Sequence, residues 1–175
     1  LKLIDSAGET EELAKAANLE DETYLVPAFS GLGAPYWDSD ARAVISGMSR
    51  TTGKNEMVKA ALESIAYQIS DIVEIMKRTA GLEIAEIRVD GGPTRNHFLM
   101  QFQSDILNIP VRVPDAEELS GIGAAYAAGI AMGIYDQKSL FENVNRTEYK
   151  ARMNETERER KINGWRQAVE KALTK

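Results

Sequence analysis

The longest regular pattern in the chain is a run of apolar residues at three- and four-residue spacing between about Asn55 and Thr79. This spacing predicts an amphipathic helix, because residues three and four apart lie on one helix face. Lys77 and Arg78, followed by Gly81, are typical of a helix end. We expect this helix to pack on a β-sheet through four residues of its apolar face, namely Leu62, Ile65, Ile69 and Val73.

Shorter patterns on either side of this helix predict further helices that alternate with strands. Helices are predicted over residues 10–17, 94–107 and 120–132 and after Asn154, and strands over 24–29, 43–47, 84–89 and 111–113. This order predicts an α/β layer structure in one domain. The strands at 84–89 and 111–113 are expected to be parallel neighbours, joined by a right-handed crossover through helix 94–107.

The composition indicates a globular protein and excludes several classes of function. The 175 residues are 43% hydrophobic and 27% charged, which suits one folded domain. Lys and Arg number 21 against 27 Asp and Glu, so the net charge of −6 argues against a nucleic-acid partner. The chain has no cysteine, which excludes disulfides and thiolate metal sites. No apolar run approaches the roughly 18 residues of a membrane span, and we expect no membrane partner and a cytoplasmic location.

The segment Asp90-Gly91-Gly92-Pro93-Thr94-Arg95-Asn96 is the best candidate for a binding site. Here a predicted strand ends, two glycines follow, and a helix begins. Ligands of α/β proteins bind beyond the carboxyl ends of strands, and amides at a helix N-terminus favour anionic groups, so a nucleotide would suit this turn. The glycine pair fits a simple tight turn equally well. Neither a dinucleotide fingerprint nor a P-loop is present.

Three helical features are expected to be structural rather than chemical. The small residues of Gly121–Gly129 predict close packing of a helix against a sheet, and His97, the only histidine, is assigned no role. Glu63 and Asp71 lie about 12 Å apart along the predicted helix, too far apart for an acid/base pair, so a solvated or structural role is expected.

Two further segments carry candidate side chains. Tyr36-Trp37-Asp38 resembles the aromatic platform of a sugar site, but such a loop more often buries its rings against its own domain. The charged residues from Glu155 to Lys161 predict a solvated helix face.

Several of these segments together resemble the FGGY family of carbohydrate kinases. Ala43–Met48 and Glu56–Glu63, separated by seven residues, are similar to the second signature of that family. Residues 27–38, 62–68 and 98–107 are similar to the family members that phosphorylate glycerol. The likeness extends from Leu1 to Lys175.

The resemblance implies an actin-like, ribonuclease H-like ATPase fold without its opening strands, with residues 1–175 as a C-terminal nucleotide-binding domain. It implies that the whole enzyme uses ATP and Mg²⁺ to convert glycerol to glycerol 3-phosphate. Gly91, Gly92 and Asn96 would line the adenosine and α-phosphate pocket. In that family the polyol pocket, the catalytic aspartate and the phosphate loops lie outside this region. No catalytic or metal-binding residue is therefore assigned here, and we expect the chain alone to be inactive.

Two other functions stay open from the sequence. The domain fits another FGGY kinase that acts on a pentulose or on gluconate. In isolation it also fits a noncatalytic module that self-associates through helix 55–79 and the C-terminal helix. We expect a homo-oligomer, because exposed apolar surface and a bare sheet edge both favour association.

Overall fold

The computed structural model describes residues 2–81, 83–114, 119–136 and 146–174. The helices are α1 (Thr10–Lys15), α2 (Lys54–Ala80), α3 (His97–Leu107), α4 (Leu119–Ala131) and α5 (Glu155–Ala172), and the strands are β1 (Tyr24–Val26), β2 (Val44–Ser46), β3 (Ile87–Arg88), β4 (Val111–Pro114) and β5 (Arg146–Tyr149). Two 3₁₀ turns, Ala7–Glu9 and Gly92–Arg95, precede α1 and α3. In these ranges no helix is long and apolar enough to cross a bilayer.

The strands form two small sheets. β3 and β4 are parallel neighbours, with Ile87 opposite Val111, and α3 lies between them in the chain, which confirms the expected pairing. β5 adds an antiparallel strand on the other side of β4. β1 and β2 form a separate antiparallel pair. The predicted strands at 24–29 and 84–89 were too long, because turns within residues 26–29 and a short contact with β4 limit the ladders.

Helix α2 begins and ends as the sequence predicts. The Glu56 carboxylate accepts a hydrogen bond from the Gly53 amide at 2.8 Å, which satisfies one donor at the start of the helix. Gly81 adopts a φ of 62°, and its amide donates to the Lys77 carbonyl at 3.0 Å. A residue with a side chain is disfavoured in this left-handed conformation, so glycine is suited to end the helix.

The core is built around stacked aromatic rings between α2, α3, α5 and β1. Tyr67 stacks on Trp165 with ring centroids 5.1 Å apart and meets the edge of Phe102 at 5.4 Å. Trp165 lies on α5, which the Asn154 side chain caps by accepting from the Glu157 amide at 2.9 Å. The helix predicted after Asn154 is therefore confirmed.

One expectation about α2 was wrong in part. Val73 is buried and Leu62 packs against the core as expected, whereas Ile65 and Ile69 are 38% and 36% exposed. The helix is apolar on more than one side, and Ala66 and Tyr67 are buried on the side that meets β1 and α3. Exposed stripes of this kind normally have a partner in the native molecule.

Charged side chains are buried on the closed side of α2, which is the side that packs against the aromatic core. Glu63 and Lys161 lie 3.4 Å apart, and Lys59 donates to the Asn18 carbonyl at 3.0 Å. Burial raises the pKa of Glu63, although the nearby lysines oppose that change. Arg158 is buried as well and donates to the Asp105 carbonyl at 2.7 Å. Glu63 therefore has the structural one of its two expected roles, whereas the solvated face expected for the run Glu155–Lys161 was wrong for Arg158 and Lys161.

The loop from Ser30 to Asp38 is tied down by its polar side chains. Asp71 accepts hydrogen bonds from the Tyr36 hydroxyl and from the indole N–H of Trp165, both at 2.9 Å. Asp38 is buried and accepts from the Thr174 amide at 2.7 Å. Trp37 is 75% exposed, so the expectation that this loop buries its rings was wrong for Trp37.

Most of the small residues of α4 face solvent rather than a sheet, although Gly129 is buried beside Tyr135. Gly121, Gly123, Ala124, Ala127 and Ala128 are all exposed. The expected close packing is therefore not found in the described part of the chain. The N-terminal flank of α4, residues 115–118, lies outside the described residues.

Candidate active site

A cleft of about 600 Å³ lies beside the predicted Gly-Gly turn. One wall is the 3₁₀ turn and first residues of α1, and the other is the Gly92–Arg95 turn with Asn96. Leu62 and Ile65 of α2 and Leu99 of α3 form an apolar floor. The cleft size is typical of small-molecule sites.

The two glycines of the turn differ in their surroundings. Gly91 has a φ of 102°, a conformation that side-chain-bearing residues rarely adopt, and it is not among the residues that line the cleft. Gly92 lines the cleft, and a Cβ placed on it would meet no atom within 4 Å. Gly92 therefore leaves space for a ligand to approach the backbone, whereas Gly91 shapes the turn.

Asn96 has two structural bonds at the edge of the cleft. Its Oδ1 accepts from the Leu99 amide at 2.9 Å, which makes it the N-cap of α3. Its Nδ2 donates to the Thr10 hydroxyl at 3.2 Å, and Thr10 donates onward to the Ala7 carbonyl at 2.7 Å. Helix α3 accordingly begins at His97, later than the predicted residue 94.

The N-terminus of α3 already has an anion beside it. Glu11 of α1 accepts a hydrogen bond from the His97 amide at 2.9 Å and pairs with Lys15 at 2.6 Å. Partial burial raises the pKa of Glu11, but the bonds from Lys15 and His97 outweigh it and the pKa is lowered. The N-terminus of this helix was predicted to favour an anionic group of a ligand. The Glu11 carboxylate of the same chain already binds one of the amides there.

This arrangement suits a nucleoside more than a phosphate. The apolar floor offers a surface for a base or ribose, and the Thr10 and Asn96 side chains and the backbone around Gly92 offer polar groups at the rim. Among the described residues, no group of three His, Asp or Glu side chains lies where it could hold a metal ion.

The sequence did not indicate two of the residues at this site. Thr10 and Glu11 lie 86 residues before their partners Asn96 and His97, and they are joined to them only through the packing of α1 against α3. His97 itself places its ring Nδ1 2.5 Å from the Tyr149 hydroxyl. Its backbone amide, rather than its ring, takes part in the contact with Glu11.

Comparison with known proteins identifies what this chain is similar to. Residues 2–132 match the model of the FGGY family of carbohydrate kinases, C-terminal domain. The chain is 45% identical over 171 residues to glycerol kinases of Streptococcus pyogenes serotypes M6 and M5, with 97% of the chain covered. It spans about a third of the length of these relatives, 34% of each.

Solved structures give a matching result. A crystal structure of Plasmodium falciparum glycerol kinase with ADP superimposes with a TM-score of 0.88 and 38% identity, covering 99% of this chain and 35% of that one. Gluconate kinase and ligand-bound xylulose kinase from Lactobacillus acidophilus superimpose with TM-scores of 0.75 and 0.77, each at 22% identity over 97% of this chain and 35% of theirs. These matches confirm the expected fold, the actin-like, ribonuclease H-like ATPase fold of FGGY C-terminal domains.

Proposed function

We propose that this chain, which belongs to the FGGY family of carbohydrate kinases, is the C-terminal ATP-binding domain of a glycerol kinase. The complete enzyme would transfer the γ-phosphate of ATP to a hydroxyl of glycerol and release glycerol 3-phosphate. Residues 1–175 would act in it as one domain.

The observation that carries this proposal is the 45% identity to glycerol kinases across 97% of the chain. Pentulose and gluconate kinases of the same family are the second candidates. Five matching structures of gluconate and xylulose kinases are 20–24% identical to this chain, against 38% for the glycerol kinase structure. The difference favours glycerol as the substrate.

Within the domain, we place the adenosine of ATP in the cleft between α1 and the Gly92–Arg95 turn. Gly92 allows the ligand close to the backbone, and Leu62, Ile65 and Leu99 contact its apolar surface. Asn96 has one further N–H on Nδ2 for the ligand after its bond to Thr10. Gly91 supports the turn. Phosphoryl transfer depends mainly on positioning and electrostatics, so holding the nucleotide in one place is this domain's contribution.

A substitution at Gly92 tests the nucleotide site. Gly92→Val introduces a side chain into open cleft space, so the fold should tolerate it while ATP is displaced. In the complete enzyme the KM for ATP should rise at least about tenfold, the loss expected when about 1.4 kcal/mol of binding is removed, with the KM for glycerol unchanged. Gly33→Val is the matched control, because Gly33 also has open space around its Cβ position but does not line the cleft. Unchanged ATP kinetics in Gly92→Val would place the nucleotide elsewhere.

We also propose that the 175-residue chain alone has no kinase activity. The resemblance puts the catalytic aspartate and the phosphate loops outside this region, and the carboxylate that lines the cleft, Glu11, is held by Lys15 and by the His97 amide. A coupled assay with glycerol, Mg²⁺ and ATP on the purified chain should show no turnover above background. Measurable turnover would mean that catalytic residues lie within these 175 residues.

We further propose that the complete protein is a homo-oligomer. Light scattering of the complete protein tests this proposal.

A further inference from the structure

Three successive hydrogen bonds cross one end of the cleft, from α3 to the 3₁₀ turn before α1. The Leu99 amide donates to Oδ1 of Asn96 at 2.9 Å, and Nδ2 of Asn96 donates to the Thr10 hydroxyl at 3.2 Å. The Thr10 hydroxyl donates in turn to the Ala7 carbonyl at 2.7 Å. All four residues line the cleft. These three bonds, called the relay, therefore join its two walls beside the space for a ligand.

The two ends of the relay fix the direction of every bond in it. A backbone amide can only donate and a backbone carbonyl can only accept. The Leu99 amide therefore requires the oxygen of Asn96, which leaves the nitrogen of Asn96 facing Thr10. The Ala7 carbonyl takes the one hydrogen of the Thr10 hydroxyl, so this hydroxyl offers Asn96 an acceptor. Turning the Asn96 amide by 180° would place two donors together at Leu99 and two acceptors together at Thr10.

The fixed amide has one hydrogen left for a ligand. Nδ2 of Asn96 carries two hydrogens, and one of them binds Thr10. Asn96 lines the cleft together with Gly92, which has no side chain to fill the space. The site therefore offers a donor here, and a purine base carries ring nitrogens that accept hydrogen bonds.

A neighbouring bond holds Thr10 within reach of Asn96. Glu11, the next residue of α1, accepts from the amide of His97, the next residue after Asn96, at 2.9 Å. Two successive residues of α1 thus bind two successive residues at the start of α3. Groups that orient a binding side chain work well when they are themselves held by further hydrogen bonds, and the Ala7 carbonyl and Glu11 supply these for Thr10.

We propose that Thr10 is a positioning residue of the nucleotide site, which fixes the Asn96 amide so that its remaining N–H group binds an acceptor atom of the nucleotide. Thr10 acts through Asn96 rather than by its own contact with the ligand. A side chain oriented before binding loses less freedom when the ligand arrives, which favours affinity. This inference rests on the proposed function, because it takes the cleft as the site for ATP.

ATP binding to the complete enzyme tests the role of Thr10. The Kd for ATP is measured by isothermal titration calorimetry without glycerol. Thr10→Val keeps the shape of the side chain and removes the hydroxyl, so the Kd should rise about fivefold, the effect of about one hydrogen bond. Thr10→Ser keeps the hydroxyl and should stay within about twofold of wild type. Thr79→Val is the matched control, because Thr79 is exposed on α2 and does not line the cleft, and it should leave the Kd unchanged.

A double-mutant cycle shows whether Thr10 acts through Asn96. Asn96→Asp keeps an oxygen that caps α3 but removes the Nδ2 donor, so the Kd should rise at least about tenfold. Adding Thr10→Val to Asn96→Asp should raise it by less than about a further twofold, because the amide that Thr10 orients is gone. The same fivefold loss from Thr10→Val in both backgrounds would make Thr10 a structural residue only and would overturn the proposal.

The outcomes separate this inference from the proposed function. Weaker binding in Asn96→Asp together with wild-type binding in Thr10→Val would overturn the inference and leave the ATP site in place. Wild-type binding in both variants would overturn the inference and the proposed ATP site together. The titrations contain no glycerol, so their result does not depend on which hydroxyl compound the enzyme phosphorylates.

Discussion

The two sides of helix α2 both carry apolar side chains but differ in their surroundings. On the closed side, Tyr67 and Val73 pack against the aromatic core, and Glu63 is paired with Lys161. On the open side, Ile65 and Ile72 face solvent. The comparison shows that the sequence pattern of a helix identifies the residues that avoid water, but its neighbours decide which of them contribute to the stability of this chain.

The largest expected contrast is between the two tryptophans. Trp165→Ala removes the ring that stacks on Tyr67 and the N–H that Asp71 accepts, and leaves a cavity in the core. We expect the free energy of unfolding to fall by about 4 kcal/mol, measured by urea denaturation. Trp37→Ala, at a residue 75% exposed, should cost less than about 0.5 kcal/mol. Equal losses would contradict the assignment of the core.

The buried ion pair should contribute more than an exposed one. Lys161→Ala leaves the Glu63 carboxylate buried without its partner on α5, and we expect a loss of about 3 kcal/mol in urea denaturation. Lys15→Ala breaks the surface pair with Glu11, which water screens, and should have a much smaller effect. A loss at Lys161 no larger than at Lys15 would show that α5 is not held to α2 by this pair.

Neighbouring residues of α2 give a third test. Val73 is 7% exposed and Ile72 37% exposed, so they sample the two sides one residue apart. Val73→Ala should lower the free energy of unfolding by about 1.5 kcal/mol and Ile72→Ala by about 0.5 kcal/mol, although isoleucine loses more carbon atoms. The reverse order would mean that the open side is already covered in the 175-residue chain.

The smallest effect is a difference in pH dependence. Burial raises the pKa of Asp71 above 3.8, so the folded protein holds this proton more tightly than the unfolded chain. The free energy of unfolding should therefore decrease as pH rises from 3.8 through the folded-state pKa, and Asp71→Asn should remove that decrease.

Glu11, at the cleft, should show the opposite sign. Its pKa is lowered below 4.5, so its contribution to stability is present above 4.5 and is lost as pH falls through the folded-state pKa. Glu11→Gln should remove that loss. Urea denaturation of wild type and both variants between about pH 3 and pH 7 measures the two slopes. If the two residues changed the pH dependence of the free energy of unfolding with the same sign, the opposite pKa shifts of Asp71 and Glu11 would be contradicted.

The elements that the sequence predicts well are those whose signals are local. The bounds of α2 follow from apolar spacing and from Gly81, and the Asn154 cap is adjacent to the helix it starts. β5 was missed because Arg146–Tyr149 has no alternation of apolar residues and is held by pairing with β4. Its recognition requires the position of a strand more than 30 residues earlier.

The residues of the candidate site also fall into two groups, those with a local sequence signal and those without one. Gly92 and Asn96 stand in one short segment, so the turn could be predicted, and their role in binding ATP stays a prediction. Thr10 and Glu11 belong to a helix that nothing in the local sequence connects to this turn. The exposure of Ile65 and Trp37 could not be predicted either, because each is an apolar residue in an apolar segment, and only the neighbouring elements determine which are covered.

The positions of the two tryptophans also determine how this molecule can be observed. Trp165 is 1% exposed and stacked in the core, whereas Trp37 is held in solvent by a loop that Asp71 and Asp38 tie down. An iodide quencher in solution therefore reaches Trp37 and leaves the emission of Trp165 intact. Loss of the core would shift the emission of Trp165 to longer wavelength, and contact of a partner with the loop would protect Trp37 from quenching. Intrinsic fluorescence can thus separate unfolding from docking in one sample, without an added dye.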